Sequence, residues 1–270
     1  MSALTVAGIQ LSVAALSDPG LKRPINEDSF LAEGPAFVVA DGMGGYDRGE
    51  LASAAVVAAF SAALSGDRFG EFSQLHAALL DADDRVSEVA KGTTRGAGST
   101  ATGAVLVDYE GKPFWLVFNV GDSRVYRHLG SELEQLTVDH SLGRELVDAG
   151  KLAAGDLPTF KDRNVITRAI GASDSLADSW LVPVVNGERL LLCSDGLHGE
   201  VDDESIRAVL TMNGRPEAVA QVLVDHAKAN GGRDNITVVV IDVVSGGGDP
   251  RGESLTGTAS SMALDDTLQV

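Results

Sequence analysis

The stretch Val39-Ala40-Asp41-Gly42-Met43-Gly44-Gly45 places a carboxylate directly after an apolar run and before flexible glycine backbone. Far along the chain, Leu192-Cys193-Ser194-Asp195-Gly196 repeats this order. Carboxylate oxygens are the ligands that Mg²⁺ and Mn²⁺ prefer, and a neighbouring glycine lets main chain approach an ion or a phosphate closely. Similar stretches occur at Asn119-Val120-Gly121-Asp122-Ser123-Arg124 and Gly231-Gly232-Arg233-Asp234-Asn235. Together the four aspartates predict one shared metal centre.

The composition limits the partners that this chain can bind. Its 270 residues are 44% hydrophobic, which is enough for a sizeable core, and we expect one domain followed by a tail. The formal net charge of −18 argues against binding to nucleic acid or to an anionic membrane surface, because both need clustered Lys and Arg. A phosphate ligand would have to be held locally, next to a cation.

Cysteine content and hydropathy bear on the cellular compartment. The single cysteine, Cys193, lies in an apolar run, so no intrachain disulfide can form and a reducing compartment is expected. No segment approaches the roughly 20 apolar residues that cross a bilayer, and the first residues do not resemble a secretory signal. We therefore expect a cytoplasmic protein, and we expect it to be a monomer.

The order of predicted elements indicates the fold class. A strand at Phe37–Ala40 precedes two helices, Leu51–Leu64 with Asp47 as its cap and Glu71–Lys91. Strands follow, then two further helices near Asp203–Met212 and Pro216–Ala229, then a closing strand. This order does not alternate as a parallel α/β fold would. It predicts an α+β fold, a four-layer α-β-β-α sandwich with two central, mainly antiparallel β-sheets flanked by helix pairs.

Three β-rich segments in the middle of the chain are predicted to form a meander: Thr100–Val107, Phe114–Val120 and Arg124–His128. The polar segment at about 141–178 is long for a compact domain, which predicts a functional flap. Beyond residue 245 the composition turns to Gly, Ser, Thr and Asp, and we expect 246–270 to be a disordered tail. The folded domain is accordingly predicted to span 1–245.

The motifs, taken in order, resemble the metal-dependent Ser/Thr protein phosphatases of the PPM family, also called the PP2C type, and in particular their bacterial branch. The resemblance covers about Ser12 to Val244, which is nearly everything except the tail. The motifs that carry it are Gly20–Asp28, Asp41–Gly45, Gly98–Thr100, Gly121–Arg124 together with Ser194–Gly196, and Arg233–Asn235.

The resemblance implies metal-binding roles for five residues. Asp41 would bridge two Mn²⁺ or Mg²⁺ ions and is the central catalytic residue, and the Gly42 carbonyl would bind the first ion. Asp195 and Asp234 would hold the second ion. Asp122, together with Asp195, would bind a weaker third ion.

The resemblance also assigns residues around the ions. Arg23 matches the arginine that binds the substrate phosphate and takes part in catalysis. Glu27 and Asp28 match acidic positions that orient water or support the ligands, and Asn235 is placed in the same supporting shell. One position departs from many eukaryotic members: Met43 stands where they carry a histidine that protonates the leaving alcohol, although the bacterial branch commonly has Met.

The implied function is hydrolysis of phosphoserine and phosphothreonine in phosphorylated proteins, by direct attack of a metal-bridging hydroxide, in opposition to a cognate Ser/Thr kinase. Neither a Cys-based nucleophile motif nor a Gly-x-Ser-x-Gly elbow suggests a covalent intermediate. A first alternative is a pseudophosphatase that only binds phosphoproteins or kinases, but none of Asp41, Asp195 and Asp234 is lost. A second is the related branch that acts on antagonists of anti-sigma factors.

Overall fold

The computed structural model of the chain describes residues 2–43, 48–91, 96–212, 214–249 and 260–263. Within these ranges the strands are β1 Ser2–Val6, β2 Ile9–Asp18, β3 Asp28–Glu33, β4 Ala36–Met43, β5 Gly98–Ser99, β6 Ala101–Tyr109, β7 Lys112–Val120, β8 Arg124–Leu129, β9 Glu132–Gln135, β10 Asp178–Pro183, β11 Arg189–Cys193, β12 Ile236–Ser245 and β13 Ser260–Ala263. The α-helices are α1 Gly49–Ala63, α2 Phe72–Ala90, α3 Leu142–Asp148, α4 Asp195–His198, α5 Asp203–Thr211 and α6 Pro216–Ala229. A short 3₁₀ helix spans Ala154–Thr159.

The strands form two antiparallel sheets. The first has the order β1-β2-β12-β11-β8-β9, and the second has the order β13-β10-β7-β6-β4-β3, with the short β5 paired to β4. Helices α1 and α2 pack on the outer face of the second sheet, whereas α4, α5 and α6 pack on the outer face of the first. The α+β prediction of a four-layer α-β-β-α sandwich is therefore confirmed.

Alternation along the central strands builds three apolar layers from continuous hydrophobic runs. In β4, Phe37 and Val39 face the space between the sheets, while Val38 and Ala40 face α1 and α2. β11 alternates in the same way between the space between the sheets and the outer helices. Successive side chains of a strand point to opposite faces, so a strand that is covered on both faces needs apolar residues throughout.

The helices follow their predicted positions closely. α1 begins at Gly49, after Arg48 with a φ of 133°, and the predicted cap Asp47 lies outside the described residues. α2 begins with a capping box in which the Glu71 amide donates to the Gln74 side chain at 2.9 Å. In the described ranges we find no helix that combines the length and apolar character needed to cross a membrane.

The predicted meander is wrong at its third strand. β6 and β7 are neighbours in the second sheet, but β8 lies in the first sheet between β11 and β9. The chain crosses between the sheets at Gly121, whose φ of 111° is one that glycine adopts readily. Local β propensity located the strands, but the partner of β8 is a strand more than 60 residues away.

The motif Gly20–Asp28 ends in a strand. Asp28 and Ser29 begin β3 and pair with Asp41 and Ala40 of β4. This short strand has one exposed face, so its sequence lacks the continuous apolar run that marks β4. The pairing places Asp28 directly opposite Asp41.

Parts of the segment after Ser245, which we expected to be disordered, make hydrogen bonds to the folded domain. Gly247 donates to the Asn186 side chain at 2.9 Å, and the Asn186 amide donates to the Gly248 carbonyl at 2.9 Å. Farther on, β13 pairs with β10. β10 would otherwise expose an unpaired edge, and covering that edge satisfies its backbone groups. The domain limit at residue 245 stays a prediction.

Replacing Phe118 with alanine should lower the free energy of unfolding by about 3–5 kcal/mol. Phe118 is fully buried and stacks on Phe60 of α1 at a ring-centroid distance of 5.0 Å, so the substitution opens a cavity between helix and sheet. Denaturant unfolding measures the change. The matched control is Leu51→Ala on the exposed side of α1, expected to cost less than about 1 kcal/mol. Similar losses for the two variants would contradict this packing.

Candidate metal centre

Antiparallel pairing brings the acidic turns of the first sheet to one edge. Cys193 at the end of β11 pairs with Arg124 at the start of β8 and with Val238 near the start of β12. The residues just beyond these positions therefore lie side by side. They include Asp195, which begins α4, and Asp122 and Asp234, which precede β8 and β12.

The second sheet contributes two more acids to the same place. Asp41 lies near the end of β4, and Asp28 lies opposite it at the start of β3. The charge of Asp41 interacts with those of Asp28, Asp122, Asp195 and Asp234. Five carboxylates from separate parts of the chain thus meet between the ends of the sheets.

Burial and mutual repulsion both raise the pKa values of Asp28, Asp41, Asp122 and Asp195. Loss of solvation is the largest cause in each case, followed by neighbouring charges or hydrogen bonds. The pKa of Asp28 is raised to about 7 and that of Asp195 to about 6, while those of Asp41 and Asp122 lie well above the usual value. Such a cluster holds its protons at pH values where carboxylates are normally ionised, and a bound cation would favour the ionised forms.

Buried carboxylate oxygens without hydrogen-bond partners indicate whether the acids are suited to bind a cation. Asp28 Oδ1, Asp122 Oδ1 and Asp195 Oδ1 are buried and have no hydrogen-bond partner among the described residues. Buried polar atoms are normally partnered, and unpaired carboxylate oxygens are suitable ligands for a hard divalent ion. As placed, no three acidic, histidine or cysteine residues of the described ranges are spaced to hold one ion. The donor chemistry fits Mn²⁺ or Mg²⁺, and coordination would require these side chains to rotate.

Arg23 lies at the open side of the acids. Its Nη2 donates to Asp234 Oδ2 at 2.7 Å, and its charge also interacts with those of Glu27 and Asp41. The pair is partly solvent-exposed, with 48% of the Arg23 side chain and 34% of the Asp234 side chain accessible. Exposed pairs of this kind hold side chains weakly, so the guanidinium is free to meet an incoming anion.

Gly42 sits where a side chain has no room. A Cβ atom at this position would lie 2.0 Å from the Gly49 carbonyl oxygen and 2.7 Å from the Glu27 carbonyl oxygen. The Gly42 amide donates to that same Glu27 carbonyl at 3.1 Å. Glycine is therefore required by close backbone packing, whether or not its carbonyl also binds an ion.

Asn235 ties the loop that carries Arg23 and Glu27 to the start of β12. Its Oδ1 accepts from the Glu27 amide at 2.9 Å, and its Nδ2 donates to the carbonyls of Pro19 at 3.0 Å and Ile25 at 2.9 Å. The side chain is buried. Asn235 thus links the loop to the start of β12, and Glu27 lies beside the acids with a pKa raised mainly by burial.

Several supporting residues were missed from the sequence. Ser194 donates to Asp28 Oδ2 at 2.7 Å, and Thr100 Oγ1 accepts from the Asp41 amide at 2.9 Å. His198 Nε2 donates to the Asp122 carbonyl at 3.0 Å, and burial lowers its pKa to about 3, which keeps the ring neutral. Ser194 and Thr100 belong to motifs named above, and their closeness to the acids in sequence could have indicated a supporting role. Which atoms their hydroxyl groups bond to depends on the fold and cannot be read from the sequence.

One group of hydrogen bonds joins the two ends of the flap. His140 Nδ1 accepts from the Gly121 amide at 3.2 Å, and His140 Nε2 donates to Asp178 Oδ2 at 3.3 Å. Arg168 adds a bond to Asp178 Oδ1 at 3.0 Å. These contacts fix the first and last residues of the flap against the turn that carries Asp122.

A cleft of about 660 Å³ opens beside the acids. Asp122, Asp195 and Asp234 line it, and so do Arg144 and Arg163 of the flap. These three acids therefore border an accessible cavity. This position is suitable for catalysis on a bound substrate.

Asn235→Ala should lower the free energy of unfolding by about 2–4 kcal/mol, because the change leaves one amide and two carbonyls of the loop without their partners. Denaturant unfolding in the presence of a chelator measures this effect. Asn230→Ala is the matched control, since Asn230 makes one exposed side-chain hydrogen bond to the Glu200 carbonyl and should cost less than about 1 kcal/mol. An equal loss of unfolding free energy in the two variants would show that the hydrogen bonds of Asn235 do not stabilise the loop.

The raised pKa of Asp195 predicts a pH dependence of stability without metal. A carboxyl whose pKa is raised from 3.8 to about 6 on folding keeps its proton in the native state, so stability falls as pH rises from about 4 to about 6. Asp195→Asn removes this titration. The unfolding free energy of the variant minus that of the wild type should therefore grow, by on the order of 2 kcal/mol, between about pH 4.5 and pH 7.5.

The measurement is denaturant unfolding in chelator at a series of pH values. Asp225→Asn provides the control, because Asp225 is an exposed residue of α6 and its difference from wild type should stay constant. A constant difference for Asp195→Asn as well would show that the pKa of Asp195 is not raised in the native state.

Comparison with known proteins adds independent information. The family model for protein phosphatase 2C matches residues 24–226. The serine/threonine protein phosphatase PstP of Mycobacterium tuberculosis is 36% identical to the chain over 237 residues, covering 87% of this chain and 45% of PstP. Protein phosphatase PhpP of Streptococcus pneumoniae is 31% identical over 244 residues, covering 86% of this chain and 98% of PhpP.

A solved structure agrees in fold as well as in sequence. The crystal structure of the PstP catalytic domain in complex with two manganese ions has a TM-score of 0.78 and 33% identity, and the match covers 87% of this chain and 99% of that domain. The chain spans less than half the length of full PstP. Since the family model matches well over half of the chain and the alignment with PhpP includes nearly all of PhpP, this chain belongs to the protein phosphatase 2C family.

Proposed function

We propose that this chain is a metal-dependent phosphatase that hydrolyses phosphoserine and phosphothreonine in proteins. The observation that carries the proposal is the convergence of five acids from separate elements, three of them with unpartnered buried oxygens and three of them lining a cleft. Folding alone gives no reason to gather these charges, because each acid loses solvation and repels its neighbours. Membership of the family and the manganese-containing PstP structure support the same conclusion.

The proposed metal ligands are the carboxylates of Asp41, Asp195, Asp234 and Asp122 and the carbonyl of Gly42. When bound, two divalent ions, with a possible third, supply an activated water nucleophile at neutral pH and neutralise charge on the phosphate. Asp28 supports the set through its bond to Ser194.

Arg23 is proposed to bind the substrate phosphate. A guanidinium presents paired N–H donors that match phosphate oxygens, and the partly exposed contact with Asp234 is exchangeable. The hydrogen bonds that Asn235 makes to the loop, including the one from the Glu27 amide, position the segment that carries Arg23. Met43 has no proton to give, so protonation of the leaving alcohol falls to another group at the site.

The substrates, partners and location are proposals as well. We infer that the substrates are phosphorylated proteins and that a cognate Ser/Thr kinase supplies them. A monomer in the cytoplasm agrees with the single cysteine, Cys193, which is buried and unpaired. The pseudophosphatase alternative is disfavoured, because every predicted metal carboxylate is kept and all of them gather at the cleft.

Asp195→Asn should lower the rate of phosphothreonine-peptide hydrolysis in Mn²⁺ by at least about 100-fold, since loss of even an outer-shell partner of a metal site commonly costs 10- to 100-fold. Asp225→Asn, an exposed change on α6, should retain the wild-type rate. Addition of Mn²⁺ should also raise the unfolding midpoint of the wild type more than that of Asp195→Asn. Equal hydrolysis by the wild type and Asp195→Asn would refute the proposal, whereas peptide binding without hydrolysis would favour the pseudophosphatase.

A further inference from the structure

The cleft beside the acids continues into a second cavity. This smaller space, of about 180 Å³, lies between β9 and the first turn of α5. Gln135 and Asp203 line both cavities, so together they form one trough that leads from the acids along α5. Tyr126 and Leu133 line the smaller cavity, and Glu204 and Arg207 also border it. A polypeptide with its phosphorylated residue at the acids has room to extend along this trough.

Asp203 stands where the two cavities meet. It is the first residue of α5, and 63% of its side chain is exposed. The Tyr126 hydroxyl donates to Asp203 Oδ1 at 2.9 Å and is its one side-chain donor in the described part of the chain. The nearest cationic atom there is Arg124 Nη1, at 3.9 Å. The carboxylate is thus oriented by a neutral group and keeps most of its capacity to accept hydrogen bonds.

The arginines around Asp203 are bound more closely to other acids. Arg124 donates to Asp139 Oδ2 at 2.6 Å through Nη2 and to Tyr126 at 2.7 Å through Nη1. Arg207 donates to Glu204 through Nε at 2.8 Å. Because these cations have nearer partners, the charge of Asp203 is only weakly neutralised.

The flap contributes a charge of the other sign to the same cleft. Arg163 of the flap lines the cleft and forms no ion pair with any described residue. A basic side chain of the substrate is therefore favoured near Asp203 and opposed near Arg163. The net charge of −18 adds a general attraction for cationic ligands.

We propose that Asp203 is a specificity-determining residue that binds an arginine or lysine of the phosphorylated polypeptide, a few residues from the phosphorylated one. The proposal rests on the proposed phosphatase function and names its substrate class. Arg124 indicates how far Asp203 lies from the acids. It is two residues from Asp122 in the chain, and its guanidinium lies 3.9 Å from Asp203. An extended strand advances about 3.3 Å per residue, so only a few substrate residues cover this span.

The test compares matched phosphothreonine peptides that differ only in carrying arginine or glutamine, placed on the amino-terminal side in one series and on the carboxy-terminal side in another. The measured quantity is the ratio of kcat/KM for the arginine peptide to kcat/KM for the glutamine peptide. In one series, the wild type should give a ratio of roughly three to ten, the range of a partly exposed, hydrogen-bonded ion pair. The ratio should fall as ionic strength rises.

Asp203→Asn keeps an oxygen that accepts from Tyr126 while it removes the charge, and the ratio should fall to about one, mainly through a higher KM for the arginine peptide. Asp203→Lys should give a higher kcat/KM for a peptide that carries glutamate at this position than for the peptide that carries arginine. Asp225→Asn, which changes a charge away from the trough, should leave the ratio as in the wild type.

The outcomes separate the two proposals. If no peptide is hydrolysed by the wild type in Mn²⁺, the proposed function itself is wrong. If hydrolysis proceeds but neither series shows a preference for arginine, or if Asp203→Asn retains that preference, the assignment of Asp203 is overturned. A ratio that falls equally in Asp225→Asn would also overturn it, because the effect would then reflect net charge alone.

Discussion

Repulsion among buried carboxylates is the constraint on which the rest of this structure depends. Asp28, Asp41, Asp122, Asp195 and Asp234 lie close enough for their charges to interact, and loss of solvation raises the pKa of most of them. An arrangement of this kind opposes folding unless a rigid frame holds it. The frame is the sandwich, whose three apolar layers bury the central strands completely.

The sandwich imposes the geometry of the site through strand register. A shift of one residue between β3 and β4 would move Asp28 away from Asp41 and turn the apolar faces of β3 around, so core packing and the site specify the same pairing. In the first sheet, pairing of Cys193 with both Arg124 and Val238 places three acidic turns at one edge. The acids are therefore positioned by strands whose registers are fixed by burial.

The sequence was informative where the signal is local. A carboxylate between an apolar run and glycine marks Asp41 and Asp195 without knowledge of the fold, and helical periodicity located α2 to within a residue at each end. Pairing between distant strands left no such signal. The crossing of β8 into the first sheet depends on a partner more than 60 residues away, and the half-exposed β3 resembles a polar loop.

The same distinction applies to the residues around the acids. Ser194 and Thr100 lie in motifs that were recognised, but their hydroxyl contacts with Asp28 and with the Asp41 amide arise only once the two sheets face each other. The bonds of His140 to Gly121 and Asp178 likewise depend on the fold, because residues distant in the sequence meet at the two ends of the flap.

A purely structural explanation of the acidic cluster meets a physical difficulty. Acids retained for stability are expected to have cationic or donor partners, as Glu188 has in Trp115 and Arg127 at the other end of the sandwich. Asp122 and Asp195 instead keep buried oxygens without partners in the described part of the chain. Substituting such an acid with a neutral amide would relieve repulsion, so folding stability alone does not account for the charges. Their presence beside an open cleft is the pattern of a binding site that trades stability for chemistry.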